Sequence, residues 1–244
     1  MSKNCAKKQK KNKNVRGKLI VLEGVIAAGK STLATALEAY LTKTGFPVKV
    51  LVEPLDLAFL ALYQSNIERY AFPFQCVMAR ERMQVYLGAL RAIEDGWYIV
   101  MDRSLVGDVA FAVMQKEQNF FTDAEWRVYN SLVGLTDTNG QCKSIDAHFM
   151  PEATIIYLEV TPEEAFRRML IRGNENEKKA YTQAYFQNLH RAYESAVARC
   201  ADCTRIDWNV DRKIDDAVCV EVLERVPQLR SLLPDKGWNV ELNK

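Results

Sequence analysis

The segment Gly24-Val25-Ile26-Ala27-Ala28-Gly29-Lys30-Ser31 limits what this chain can fold into more than any other stretch. It satisfies G-x-x-x-x-G-K-[ST] at every fixed position. An apolar β-branched run, Lys18 to Glu23, precedes it, and Leu33, Leu37 and Leu41 follow at helical spacing. Strand, glycine loop, then helix is the setting in which this pattern has a mechanism. Glycine lets successive backbone N–H groups turn inward as an anion nest, and the helix N-terminus adds its positive dipole end. Lys30 brings a point charge to the phosphates, and Ser31 offers a hydroxyl to Mg²⁺. The expected ligand is ATP or GTP, held by Gly24, Ala27, Ala28, Gly29, Lys30, Ser31 and Thr32.

The rest of the chain alternates strands and helices. Val48 to Val52, Trp97 to Met101, Thr154 to Val160 and Thr204 to Trp208 read as further strands. Helical periodicity runs from about Phe74 to Ile93, from Leu105 to about Gln115 and from Thr122 to about Leu135, and a polar stretch, Gly173 to Lys179, precedes another helix that runs to about Arg199. A last helix covers Ile214 to Val226. Thr161-Pro162-Glu163-Glu164 predicts a helix start, with Thr161 as N-cap, proline at the first helical position and Glu164 closing a capping box; this helix runs to about Arg172. Continuous apolar strands separated by helices call for an α/β fold: a parallel β-sheet of about five strands flanked by helices, of P-loop kinase type with a lid. One domain from residue 18 to 244 is expected, with the lid at about 172–180.

Composition narrows the class. The chain has 244 residues, 48% of them hydrophobic, enough to fill one core, and a net charge of +2. The imbalance is local: Lys3, Lys7, Lys8, Lys10, Lys11, Lys13, Arg16 and Lys18 crowd a start without acids, so residues 1–17 are expected to be a disordered basic tail. No run of 18 apolar residues exists, which excludes a membrane-spanning helix. No apolar segment follows the basic start, so a cytoplasmic place is expected, with nuclear import through the tail second. A mitochondrial address ranks third, because the run is rich in lysine, not arginine. Six cysteines read as free thiols, and Cys200-x-x-Cys203 lacks the second pair or nearby histidines of a zinc site.

In open parallel sheets, ligand groups gather at the carboxyl ends of strands. Those ends carry Glu53-Pro54 and Asp102-Arg103-Ser104. Phosphoryl transfer to an alcohol needs a base for the hydroxyl proton, cations over the developing charge, and in-line positioning. Glu53 suits the base, Arg103 the cation, and Asp102 the acid that holds Mg²⁺ together with Ser31. Arg168 and Arg172, four apart on one helix face, suit a lid that closes over phosphates.

In this order and spacing, the motifs resemble the deoxynucleoside kinase family, the group of deoxycytidine, deoxyguanosine and mitochondrial thymidine kinases. The resemblance runs from about Lys18 to Val226. It includes Glu53-Pro54, Phe72-Pro73-Phe74-Gln75, Asp102-Arg103-Ser104, Glu125-Trp126, Arg168…Arg172 and Leu189-His190. It implies ATP as phosphate donor, Mg²⁺, a deoxynucleoside accepting phosphate at its 5′-hydroxyl, nucleotide salvage, and a homodimer. By position it implies Glu53 as general base, Gln75 on the edge of the base, Arg103 near the 5′ end, and Arg168 and Arg172 as lid arginines. Tyr63 is implied to contact the sugar, Glu177 the 3′-hydroxyl, and Asp207 to open the loop around the ATP base. Arg82 and Asp108 match the Arg–Asp pair of the deoxycytidine and deoxyguanosine branch, favouring deoxycytidine or a purine deoxynucleoside over thymidine. Three positions depart from the pattern. Asn174 replaces a lid arginine, Ala112 stands where a stacking phenylalanine is expected with Phe111 beside it, and Asp102 replaces the more frequent Glu.

Two rivals share the phosphate loop. A thymidylate-like nucleoside monophosphate kinase needs extra arginines for its acceptor's phosphate, where this chain has Glu53-Pro54-Leu55-Asp56. A nucleic-acid-stimulated ATPase would use the tail as a polynucleotide arm, but no second basic stripe appears in the domain.

Overall fold

The computed structural model describes residues 16–134, 150–209 and 213–234. Most of the basic tail, together with Cys5, Cys142 and His148, lies outside them. Five strands form one all-parallel sheet: β1 (Leu19–Glu23), β2 (Val48–Leu51), β3 (Tyr98–Asp102), β4 (Ala153–Glu159) and β5 (Cys203–Asp207), in the order β2-β3-β1-β4-β5. β1 and β3 are buried along their whole length, which is why they read as unbroken apolar runs. The register sets Leu22 beside Asp102 and Glu23 beside Tyr157, so polar residues leave the central strands at one level.

The helices are α1 (Lys30–Lys43), α2 (Leu57–Ser65), α3 (Ile67–Glu94), α4 (Leu105–Glu117), α5 (Asp123–Val133), α6 (Pro162–Arg172), α7 (Glu175–Ala180), α8 (Gln183–Val197) and α9 (Asp216–Arg225), before a 3₁₀ turn at Pro227–Leu232. Several differ from expectation. α3 begins at Ile67, not near Phe74, and carries Pro73 inside it; Asn66 caps its start, accepting from the Arg69 N–H. α2 was not foreseen: its apolar run has no polar face, and Asp56 starts it by accepting from Ala58 and Phe59 N–H. The polar stretch after Gly173 holds the short helix α7. The capping box at Thr161 is only half formed. Its hydroxyl accepts from Glu164 N–H, but its own N–H goes to Asn209, and the Glu164 carboxylate turns to Arg167 and Arg168. A full capping box exists instead at Thr122 and Glu125, starting α5. No helix among the described residues is long and apolar enough to cross a membrane.

Candidate active site

The loop between β1 and α1 is shaped for an anion. Gly24 and Gly29 have φ of 152° and 97°, and Ala27, without glycine's freedom, is left-handed at 60°. Gly29 stands at the N-cap position of α1, and a Cβ there would lie 3.2 Å from the Trp208 indole nitrogen. Lys30 is buried, and its ammonium donates to the carbonyls of Gly24 and Val25, at 3.0 Å each. Burial first, then the Arg103 charge, pull its pKa down from 10.5 to about 7.

β2 and β3 end facing this loop. Ser31 donates to Asp102 Oδ2, while Asp102 Oδ1 is buried without a hydrogen-bond partner. Arg103 is left-handed, at φ 67°, an uncommon conformation for a bulky residue and a mark of a constrained site. It aims its guanidinium at Glu53, with Nε 3.2 Å from Oε2, and also donates to the Tyr193 hydroxyl. Below it lies a buried carboxylate that sequence reasoning missed. Glu23 accepts from the Ser104 N–H at 2.7 Å, the Gly107 N–H at 3.1 Å and the Ser104 hydroxyl. Burial pushes the Glu23 carboxyl up, against the pull of Arg103. The signal was a lone acid ending an apolar strand.

Arg82 joins two ends of the site. One nitrogen donates to Asp108, and the other to Glu53, a bond the sequence did not reveal. Asp108 is fully buried and also accepts from the Gln75 amide, at 2.7 Å, and from the Tyr129 hydroxyl, at 2.5 Å. Both bonds of the Gln75 amide nitrogen go to Asp108, to its carboxylate and its backbone carbonyl, which leaves the amide oxygen as the remaining polar atom of a side chain that lines the cavity. Burial pushes the Glu53 carboxyl up, but Arg103 and then Arg82 outweigh it and hold it down at about 2.

A cavity of about 520 Å³ collects these groups. Lys30, Ser31, Asp102, Arg103, Arg168 and Arg172 border it towards the phosphate loop, with Ala27, Gly29, Thr32 and Glu53; Tyr63, Gln75, Arg82 and Glu177 also line it. Gly24, Ala28, Asp108 and Asp207 do not. Gly24 and Ala28 shape the loop behind it, and Asp108 acts through Arg82 and Gln75. Asp207 is exposed, and its carboxylate accepts from Asn209, closing a turn beyond β5. Tyr63 spends its hydroxyl on Tyr185 and Gln115, and Glu177 is paired with Arg172 at 2.6 Å. Arg168 donates to the Ala28 and Trp208 carbonyls, tying α6 to the loop. Asn174 is the N-cap of α7, accepting from Asn176 and Glu177 N–H, work an arginine could not do there. Phe111 lines the cavity beneath Arg103, 5.0 Å from ring to guanidinium, while Ala112 is buried in the core. The aromatic wall is thus supplied one position earlier than expected.

Comparison with known proteins agrees with this geometry. Deoxyadenosine kinase of Dictyostelium discoideum is 27% identical over 200 residues, covering 81% of this chain and 75% of that protein. Human deoxycytidine kinase is 26% identical over 227 residues, covering 84% of each. In fold, the chain is similar to deoxyadenosine kinase from M. mycoides solved with bound dATP: TM-score 0.63, 20% identity, covering 84% of this chain and 97% of that one. The family model for deoxynucleoside kinases matches residues 20–229. An anion-binding loop facing a carboxylate and an arginine across one hollow, in a chain matched over nearly its whole described length, makes this protein a member of the deoxynucleoside kinase family, an ATP-dependent nucleoside kinase.

Proposed function

We propose that the protein phosphorylates the 5′-hydroxyl of deoxycytidine or a purine deoxynucleoside in preference to thymidine, as a step of nucleotide salvage. The observation carrying this reading is the Gln75–Asp108–Arg82 cluster. With the amide nitrogen of Gln75 spent on Asp108, its oxygen is the acceptor presented to the base, which suits an exocyclic amino group. Thymine offers a carbonyl there. In the reaction, the 5′-oxygen bonds to the γ-phosphorus, the bond to the β–γ bridging oxygen breaks, and the hydroxyl proton passes to a Glu53 oxygen. A carboxylate held near 2 is a weak base, so Glu53 orients the hydroxyl first and takes the proton as the new P–O bond acidifies it. Arg103, Arg168 and Arg172 face the transferring charge, and residues 172–180 act as the lid of a single domain.

Mg²⁺, when bound, neutralises charge on the transferring phosphoryl oxygens. Ser31 and Asp102 would hold it, and the unpartnered Asp102 Oδ1 fits that role. The described residues contain no cluster of three or more His, Cys, Asp or Glu side chains for a metal, in keeping with an ion held by few protein groups and the substrate phosphates. Asp207 belongs to the loop around the ATP base. A homodimer fits the exposed Leu87 of α3 and Val128 and Leu132 of α5, two helices that pack on each other. A cytoplasmic place fits the free thiols Cys76 and Cys219.

The test is a panel of deoxycytidine, deoxyadenosine, deoxyguanosine, thymidine and thymidine monophosphate with ATP and Mg²⁺. Amino-bearing deoxynucleosides should lead in kcat/KM. The double variant Asp108→Ala with Arg82→Met should raise thymidine relative to them. Phosphorylation of the monophosphate alone would sink the reading.

A further inference from the structure

Gln115 lies on the face of α4 that also carries Asp108 and Phe111, at i, i+3 and i+7. It lines the cavity yet is 1% exposed. Its amide nitrogen donates to the Tyr63 hydroxyl at 3.1 Å, and its amide oxygen is buried with no hydrogen-bond partner among the described residues. A buried carbonyl left unpaired is costly, and one carried by a side chain that lines a ligand cavity can be satisfied by the ligand.

Its neighbours say which part of a ligand it meets. On the nucleoside kinase reading Gln75, held by Asp108, meets the base edge. Gln115 instead leads through Tyr63 to the Tyr185 hydroxyl, 3.2 Å away, and Tyr185 stacks on Tyr181 at 4.5 Å just after α7. This is the side of the cavity bordered by Glu177 and Tyr181. On the same reading, the donors that a nucleoside turns to that side are the secondary hydroxyls of its sugar. We propose that Gln115 is a substrate-binding residue whose amide oxygen accepts a hydrogen bond from a sugar hydroxyl, the 3′-hydroxyl of a deoxynucleoside or the 2′-hydroxyl of a ribonucleoside. The inference rests on the nucleoside kinase reading. Tyr63 holds the amide nitrogen, and the oxygen is closed off in the ligand-free structure, so a small turn of the Gln115 side chain into the cavity accompanies binding.

The experiment compares kcat/KM for the deoxynucleoside the wild type uses best, its 2′,3′-dideoxy form and its ribonucleoside. It uses wild type and Gln115→Met, a near-isosteric change without an acceptor, with melting temperature as a check on folding. If the 3′-hydroxyl is the donor, the variant loses about tenfold on the deoxynucleoside, mainly in KM, and nothing on the dideoxy form. If the 2′-hydroxyl is the donor, the loss falls on the ribonucleoside alone. An equal loss on all three, or none, overturns the proposal. Where Gln115→Met fails to fold, Gln115→Asn, which withdraws the amide by one methylene, carries the same comparison. A wild type that phosphorylates no nucleoside defeats the underlying reading and the proposal together, a pattern distinct from either result on Gln115.

Discussion

Glu53 holds two arginines, and this decides how it behaves. Its carboxylate stays ionised across any working pH, since the charge it shares with Arg103 and Arg82 is lost only as pH falls from 4.5 through about 2. Glu53→Gln should therefore keep ATP binding by calorimetry and lower kcat by about 10²- to 10⁴-fold. Near-normal turnover would remove Glu53 from the mechanism. Lys30 has the opposite pH logic. Its folded pKa of about 7 lies below the ordinary 10.5, so between these values the unfolded chain holds a proton that the ligand-free fold does not. Ligand-free stability should accordingly fall as pH drops through that window. A triphosphate beside the ammonium restores its charge, so ATP binding at pH 8 should take up roughly one proton per site. Titration calorimetry in buffers of different ionisation enthalpy measures it, and zero uptake would refute it.

Among the elements, α4 is the one the site is built around. Gly107 lies inside it, where glycine is otherwise disfavoured, because a Cβ there would sit 2.6 Å from the Tyr193 hydroxyl and 2.7 Å from Glu23 Oε2. Gly107→Ala should cost about 1–3 kcal/mol in urea unfolding through overpacking, and lower activity by shifting Arg103. An unchanged midpoint would contradict that. Such tertiary constraints are what the sequence could not disclose. The phosphate loop and the acids and arginine at strand ends were legible because each is fixed by local chemistry beside an apolar run. The start of α3 was not, since Pro73 reads as a boundary although Asn66 caps the helix a turn and more earlier. Nor was the Arg82–Glu53 bond, which joins residues 29 apart, one within α3 and the other just beyond the end of β2.

At the scale of the whole molecule, the sheet order brings β1, β2 and β3 side by side, so the base-edge cluster and the reacting end share one buried charge network. Tyr129, Asp108, Arg82, Glu53, Arg103 and Tyr193 follow one another in it by hydrogen bonds. Asp108→Ala leaves Arg82 paired with Glu53 alone and takes the acceptor from the buried Gln75 amide and Tyr129 hydroxyl, and should destabilise the fold by at least about 1–3 kcal/mol in denaturant unfolding. Adding Arg82→Met removes the half-paired buried cation, so this change should cost less in the Asp108→Ala background than in the wild type. Equal costs of Arg82→Met in the two backgrounds would show that the two side chains act independently.

Trp208 sits against the turn that receives the phosphates, its indole nitrogen close to Gly29. Loading that turn alters the electric field at a native fluorophore. Nucleotide occupancy can thus be followed by intrinsic emission, without a label, and Trp208→Phe should silence the signal while leaving the turn intact.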